Sequence, residues 1–338
     1  MTNAHLQPNP IAYPAADAGR YLHRSGGALV GHLWTILPAV QRGLLSSRLP
    51  DAQPFSAVVE DPVAGPVQLN GLYAEQPESD TLIVVIHGLA GDASSPYVQA
   101  AACAAVQQGF SVLCLSMRGA DGSGEDIFHG GLTDDIRAAL ASPQLAGYKR
   151  IHLIGFSVGG HLALSAALDR VDDRLAAVAA ICPPLDLDLA TIAFDDPSCS
   201  LYRRHVFAHL NRRYERAAER RRFLTPANVV RKAHFCRERD ALTVVPRFGF
   251  RSPEDYYEKE SVAGRIHELE IPSLLIAATH DPIIPAHSVR PAIANASGAL
   301  TVRWVDRGGH IFFPSGLNLG FGGPCGLEHQ ILRWLSQH

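Results

Sequence analysis

Apolar positions along this chain gather in short runs rather than spreading evenly. Thr81–Ile86, 110–115 and 151–154 are near-continuous stretches of leucine, valine and isoleucine, each bounded by turn residues. Continuous hydrophobicity suits strands covered on both faces, as in a parallel sheet, better than the alternation of a half-exposed strand. Helix-like sequence lies between them. Residues 97–108 are alanine-rich and stop before Gly109, and residues 133–140 open with Thr133, Asp134 and Asp135, which is good helix-start chemistry. A third helix is predicted over 157–169, further strands over Leu175–Ile181, Ser273–Ala278 and 301–305, and a closing helix over Leu327–Leu335. Strand and helix alternate, so the expected fold class is α/β, a mostly parallel sheet with helices on both faces.

Between 183 and 264 the pattern changes to arginine-rich helical sequence. Residues 203–259 hold 15 of the 30 Lys+Arg but only seven acids. Lying between two sheet strands, this stretch is expected to be a basic helical cap inserted into a core made of 55–182 and 265–338. Residues 1–54 are expected to form an arm packed on that core, with a short amphipathic helix in 29–45 and breaks at Pro38, Pro50 and Pro54. The positive cap has two readings. One is a surface that attracts anionic substrates through residues such as Arg220, Arg221 and Arg222; the weightier one is an arginine-rich solvated helix face. In a lid, Val206, Phe207, Leu210 and Phe223 would line the acyl side of a pocket.

Composition narrows the function classes. Hydrophobic residues are 47% and charged residues 19% of 338, enough apolar material for a core and too little charge for a disordered chain. A net charge of -3 gives no general attraction to nucleic-acid phosphate, so no nucleic-acid partner is expected. Cys103, Cys114, Cys182, Cys199, Cys236 and Cys325 are widely spaced without a C-x-x-C pair and read as reduced thiols. No metal-ligand spacing stands out, near His280 and His287 or elsewhere, so neither metal nor cofactor is expected. No window approaches the ~20 apolar residues of a spanning helix, and the polar, proline-containing start lacks signal-peptide character. The expected compartment is the cytoplasm, with membrane contact at most peripheral.

The chemistry concentrates at Gly155-Phe156-Ser157-Val158-Gly159, a G-x-S-x-G pattern directly after a predicted strand and directly before a predicted helix. That is the setting of a nucleophile elbow, where a serine is held in a strained turn. A serine hydroxyl needs an imidazole to take its proton and a carboxylate to orient that imidazole. In chain order the candidates are Asp281, in the turn Thr279-His280-Asp281-Pro282 after one strand, and His310, beyond Gly308-Gly309 after the next. Both lie past carboxyl ends of strands, the edge where open α/β sheets place their sites. Asp186 and Asp188, after Leu175–Ile181, are the competing acids, whereas Asp306 reads as a strand-end cap. An oxyanion hole is expected from the N–H groups of Val158 and of Leu89 in the loop His87-Gly88-Leu89-Ala90-Gly91, with His87 shaping that loop. His129 and Asp135 read as hydrogen-bonding groups around a turn.

Together these features resemble the α/β-hydrolase superfamily, and within it the YheT-like hydrolases. The closer likeness rests on the elbow, on Gly31-His32-Leu33-Trp34-Thr35-Ile36-Leu37-Pro38, on His87-Gly88-Leu89-Ala90-Gly91 with Ser95-Pro96-Tyr97, on Met117-Arg118-Gly119, and on His129-Gly130-Gly131-Leu132-Thr133-Asp134-Asp135. It departs at Trp34, where relatives usually carry glutamine. The resemblance implies a cap inserted after the sixth strand and a Ser-His-Asp esterase or acylglycerol-type lipase, with the triad at Ser157, Asp281 and His310. The expected substrate is then a small or lipid-like acyl ester. An acyltransferase on the same scaffold, or a hydrolase-like protein that only binds a ligand, are the alternatives.

Overall fold

A computed structural model describes residues 31–32, 35, 48–222 and 224–338 of the chain. Most of the expected arm and its helix at 29–45, including Trp34, lies outside the described residues, as does Phe223.

Eight strands form one sheet: β1 (Gln53–Asp61), β2 (Gly65–Ala74), β3 (Thr81–Ile86), β4 (Ser111–Ser116), β5 (Arg150–Phe156), β6 (Leu175–Ile181), β7 (Ser273–Ala278) and β8 (Leu300–Val305). Their spatial order is β1-β2-β4-β3-β5-β6-β7-β8. From β4 to β8 every pairing is parallel, while β1 and β2 form an antiparallel ribbon that joins through β2 and β4. The central strands are buried along nearly their whole length, as their continuous hydrophobicity requires.

The β1–β2 ribbon is an addition to the sequence reading. Phe55, Val59, Val67 and Leu69 turn inward from strands whose alternate residues are exposed, so their apolar content per window is low. The predicted central elements reappear within a residue or two at most ends. The helix expected from Ser157 begins at Val158, because Ser157 itself holds a turn conformation.

Helices α1 (Pro96–Gln107) and α11 (Leu327–Leu335) cover one face of the sheet. On the other lie α2 (Asp134–Leu140), α3 (Val158–Leu168) and α10 (Ala286–Ile293). Between β6 and β7 the chain forms α4 (Leu187–Asp195), α5 (Ser200–Arg220), α6 (Ala227–Val230), α7 (Cys236–Leu242), α8 (Val244–Phe248) and α9 (Pro253–Glu260). His161, one turn beyond Ser157, reaches both ends of this insertion: Nδ1 meets Pro184 O at 2.5 Å and Nε2 meets Glu260 O at 2.8 Å.

The cap's arginines divide: Arg204, Arg212, Arg222, Arg231 and Arg251 are exposed, while others are tied to the sheet domain. Arg213 pairs with Asp92 and donates to Gly91 O, and Arg216 donates to Gly122 O. Arg220 and Arg221 both reach Glu125, with further bonds to backbone carbonyls of the core. These four arginines fasten α5 and the residue after it to loops of the sheet domain. Deeper still, Arg247 of α8 enters a buried cluster, meeting Asp126 at 2.5 Å and Asp61 at 2.9 Å. There Arg118 also holds Asp135 at 2.6 Å and Asp61 at 2.7 Å.

Candidate active site

Ser157 sits between the end of β5 and the start of α3 with φ of 54°, a left-handed conformation that costs a serine energy and lifts its side chain off the sheet. The turn is sharp enough that neighbouring backbones almost touch. A Cβ on Gly159 would lie 2.4 Å from Ile86 O and His87 O, so only glycine fits there.

Strands β7 and β8 bring the partners. Asp281 follows β7 and is almost fully buried. Its Oδ1 accepts the N–H groups of Ile283 and Ile284 at 2.8 and 2.9 Å, which leaves Oδ2 aimed at His310 Nδ1, 2.9 Å away. His310 follows β8, and its Nε2 lies 2.9 Å from Ser157 Oγ. A carboxylate can only accept, so Nδ1 carries the ring hydrogen and Nε2 is left to accept from the serine hydroxyl. This is the protonation pattern a general base requires.

The competing acids are engaged elsewhere. Asp186 caps α4 by accepting the Leu189 N–H at 2.9 Å, and Asp188 pairs with Arg237. Asp306 accepts from Thr279 Oγ1 at 2.9 Å, which ties the acid's turn to the histidine's loop. Cys182, Asp281 and His310 are the described residues whose His, Cys and carboxylate atoms cluster closely, within 4.8 Å. Two of those three already bond each other, and burial pushes the Cys182 thiol well above its ordinary range.

The loop after β3 faces the serine. Among the described residues, no backbone acceptor takes the N–H of Leu89 or Val158, and both residues line the cavity that contains Ser157. His87 Nε2 accepts the Met117 N–H at 3.1 Å, so its Nδ1 carries the hydrogen that bonds Gly88 O at 2.7 Å. Complete burial lowers its pKa to about 4, which keeps it a neutral brace for the loop. Tyr97 completes the brace, its hydroxyl accepting the Gly88 N–H at 3.0 Å. His129 accepts the Gly131 N–H at 3.1 Å and packs edge-on against Phe248, Phe250 and Tyr256.

Two supports of the site carry no role in the sequence reading. Tyr97 stands in Ser95-Pro96-Tyr97, but nothing local says that its hydroxyl turns back to Gly88. Thr35 lies 275 positions from His310, whose backbone N–H its Oγ1 accepts at 2.9 Å. His32, in the same segment, stacks on Tyr202 of α5, with Nδ1 2.8 Å from its hydroxyl.

A cavity of about 910 Å³ opens above Ser157, roofed by the insertion. Its wall is largely apolar, with Phe128, Leu187 and Phe194 joined by Val206, Phe207 and Leu210 from α5. Pockets of this size and character hold small-molecule ligands.

Comparison with known proteins agrees with this architecture. The sequence profile of a family described as alpha/beta hydrolase fold matches residues 81–317. YheT of Escherichia coli strain K12, provisionally assigned as an esterase, is 26% identical over 317 residues, spanning 91% of this chain and 90% of its own. Medium-chain fatty acid ethyl ester synthase/esterase 2 of Saccharomyces cerevisiae is 26% identical over 262 residues, 69% of this chain and 58% of its own. Among solved structures, the esterase Pf2001 of Pyrococcus furiosus shares the fold with a TM-score of 0.51 at 15% identity, covering 77% of this chain and 82% of that one.

Proposed function

The chain is a member of the alpha/beta hydrolase fold family, and on that premise we propose that it is a serine esterase that cleaves carboxylic esters through an acyl-enzyme intermediate. The observation that carries this reading is the hydrogen-bonded line Ser157–His310–Asp281, with 2.9 Å at each step, at the floor of an apolar cavity.

In this mechanism Ser157 Oγ attacks the ester carbonyl carbon while His310 Nε2 takes its proton. Asp281 holds the ring and offsets the positive charge that develops on it. The carbonyl oxygen becomes an oxyanion between the N–H groups of Leu89 and Val158, donors fixed before the charge appears; losing one such donor typically costs about 10² to 10³ in rate. His310 then passes its proton to the departing alkoxide. Water enters, gives a proton to His310 and releases the acid, restoring Ser157. The apolar wall suits an acyl chain, so lipid-like esters fit the cavity.

The yeast relative is named as both a synthase and an esterase of fatty acid ethyl esters, which supports a second use of the same acyl-enzyme: an alcohol in place of water at the second step. Rapid mixing with a p-nitrophenyl alkanoate, acid quench and intact-mass measurement tests the scheme. A transient mass increase equal to one acyl group, localised to the peptide containing Ser157, supports it; turnover without any acylated species on Ser157 contradicts it. Added ethanol measures how the intermediate partitions between acid and ethyl ester.

A further inference from the structure

Within the largely apolar wall of the cavity one guanidinium has no carboxylate in direct contact among the described residues. Arg239, on α7, lines the same cavity as Ser157 and is only 7% exposed. Its guanidinium stands 5.5 Å from the Phe207 ring centre and 5.8 Å from that of Tyr214. Its side chain makes one hydrogen bond among the described residues, from Nη1 to Asn211 Oδ1 at 2.6 Å. No carboxylate oxygen among those residues lies within 4.0 Å of it. The Nε and Nη2 edge, the pair that grips a carboxylate or phosphate with two parallel bonds, is therefore uncommitted.

The neighbours sharpen the contrast. Arg213 is paired with Asp92, Arg220 and Arg221 with Glu125, and Arg247 with Asp126. Asp240, next to Arg239 in sequence, attracts it through space but makes no direct contact with the guanidinium: its carboxylate accepts the Tyr257 hydroxyl at 2.7 Å and lies beyond 4.0 Å of Arg239, which leaves the fork itself open. His205 and His209 line the same cavity and add no negative charge. A guanidinium withdrawn from water is costly unless an anion meets it, and here the space beside it is the substrate cavity.

We propose that Arg239 is the binding site for an anionic group, carboxylate or phosphate, carried by the ester substrate. The inference rests on the esterase reading and deepens it: the preferred substrates are amphiphilic esters whose apolar part fills the cavity and whose single negative group pairs with Arg239. The arginines that the sequence first offers for this purpose, Arg220 and Arg221, are held by Glu125 and core carbonyls.

Two substrate pairs test the site and distinguish where the anion is carried. p-Nitrophenyl octanoate against mono-p-nitrophenyl suberate places a carboxylate on the acyl end; octanoylglycerol against octanoylglycerol phosphate places a phosphate on the alcohol side. The wild type is expected to favour the anionic member of at least one pair by about tenfold in kcat/KM, the scale of one charge-assisted contact. Arg239→Gln should abolish that preference through KM while leaving the neutral ester within about twofold, and Arg239→Lys should keep part of it. Absence of preference in both pairs, or equal losses on neutral and anionic esters in Arg239→Gln, overturns the proposal.

Should Arg239→Gln not fold, octyl phosphate and octanol binding to the wild type decide by calorimetry. Tighter octyl phosphate binding supports the site, and equal or weaker binding overturns it. Failure of the esterase reading is seen separately, as no fluorophosphonate adduct on Ser157 and no turnover of any of the four esters.

Discussion

Thr35 Oγ1 accepts the backbone N–H of His310 at 2.9 Å and donates to Gly31 O at 2.8 Å. The contact is close on all sides: a Cβ on Gly309 would lie 2.4 Å from Thr35 Oγ1 and 2.6 Å from Gly31 O. The loop that carries the imidazole is thus seated on a distant segment rather than held only by its own strand. Replacing Thr35 with valine keeps the shape but leaves the His310 N–H without an acceptor, a loss of about 1 to 3 kcal/mol. Thr35→Val should lower kcat on a p-nitrophenyl ester by roughly tenfold or more with little change in KM, whereas Thr35→Ser should stay near wild type. Equal kinetics for valine and wild type would remove Thr35 from the support of the site.

The buried cluster of Arg118, Arg247, Asp61, Asp126 and Asp135 joins α8 of the cap to the sheet domain. Removing one partner strands the opposite charge away from water, which typically costs about 3 to 5 kcal/mol. Arg118→Met and Asp126→Ala should each lower the unfolding free energy obtained from urea titration by an amount in that range. Substitution of exposed Lys149, which pairs with exposed Asp80 at 3.7 Å, should change it hardly at all.

Burial depresses three histidines well below the ordinary imidazole range, His87 and His152 to about 4 and His129 to about 3. Each stays neutral in the folded chain and gains a proton on unfolding below pH ~6.5. The unfolded state then binds more protons, so their contribution leaves stability whole above pH ~6.5 and erodes it as the pH falls toward the folded values. At pH 5 each should have removed roughly 1 to 2 kcal/mol. Urea unfolding at pH 7.5 and pH 5 measures the loss, and His152→Phe should flatten the slope.

How far the sequence could be read divides along physical lines. Ser157, Asp281 and His310 were nameable because each follows an apolar strand and sits among turn residues, so topology alone brings them to one edge. The central strands were legible because burial on both faces leaves a continuous apolar run, whereas the half-exposed β1 and β2 leave only weak alternation. Thr35 and Tyr97 were invisible as supports because their partners are single backbone N–H groups, which no residue pattern marks. In the cap, charge content marks the exposed arginines such as Arg204, Arg212, Arg222 and Arg231, but not the partners of Arg213, Arg220, Arg221 and Arg247, whose acids are supplied by β1 and the loops of the sheet domain.

Tyr97 fixes the loop that carries one proposed oxyanion donor. Tyr97→Phe keeps the ring against Phe156, at 5.0 Å between centres, and removes the hydroxyl that accepts the Gly88 N–H and also meets the Ser95 side chain. With Leu89 less firmly aimed, kcat should fall by roughly ten- to a hundredfold, less than the loss of a whole donor, and thermal stability should change modestly. A variant with unaltered kcat would show that the loop holds its shape without this bond.

The central claim is that Ser157 is the nucleophile, activated by His310. The most direct measurement is labelling with a fluorophosphonate followed by mass mapping of the adduct, alongside ester turnover by Ser157→Ala. The account predicts one adduct, on Ser157, absent from Ser157→Ala, and a fall in kcat approaching about a millionfold in a variant that still unfolds cooperatively. An adduct on another residue, or a folded Ser157→Ala that retains more than about a tenth of wild-type turnover, would contradict it.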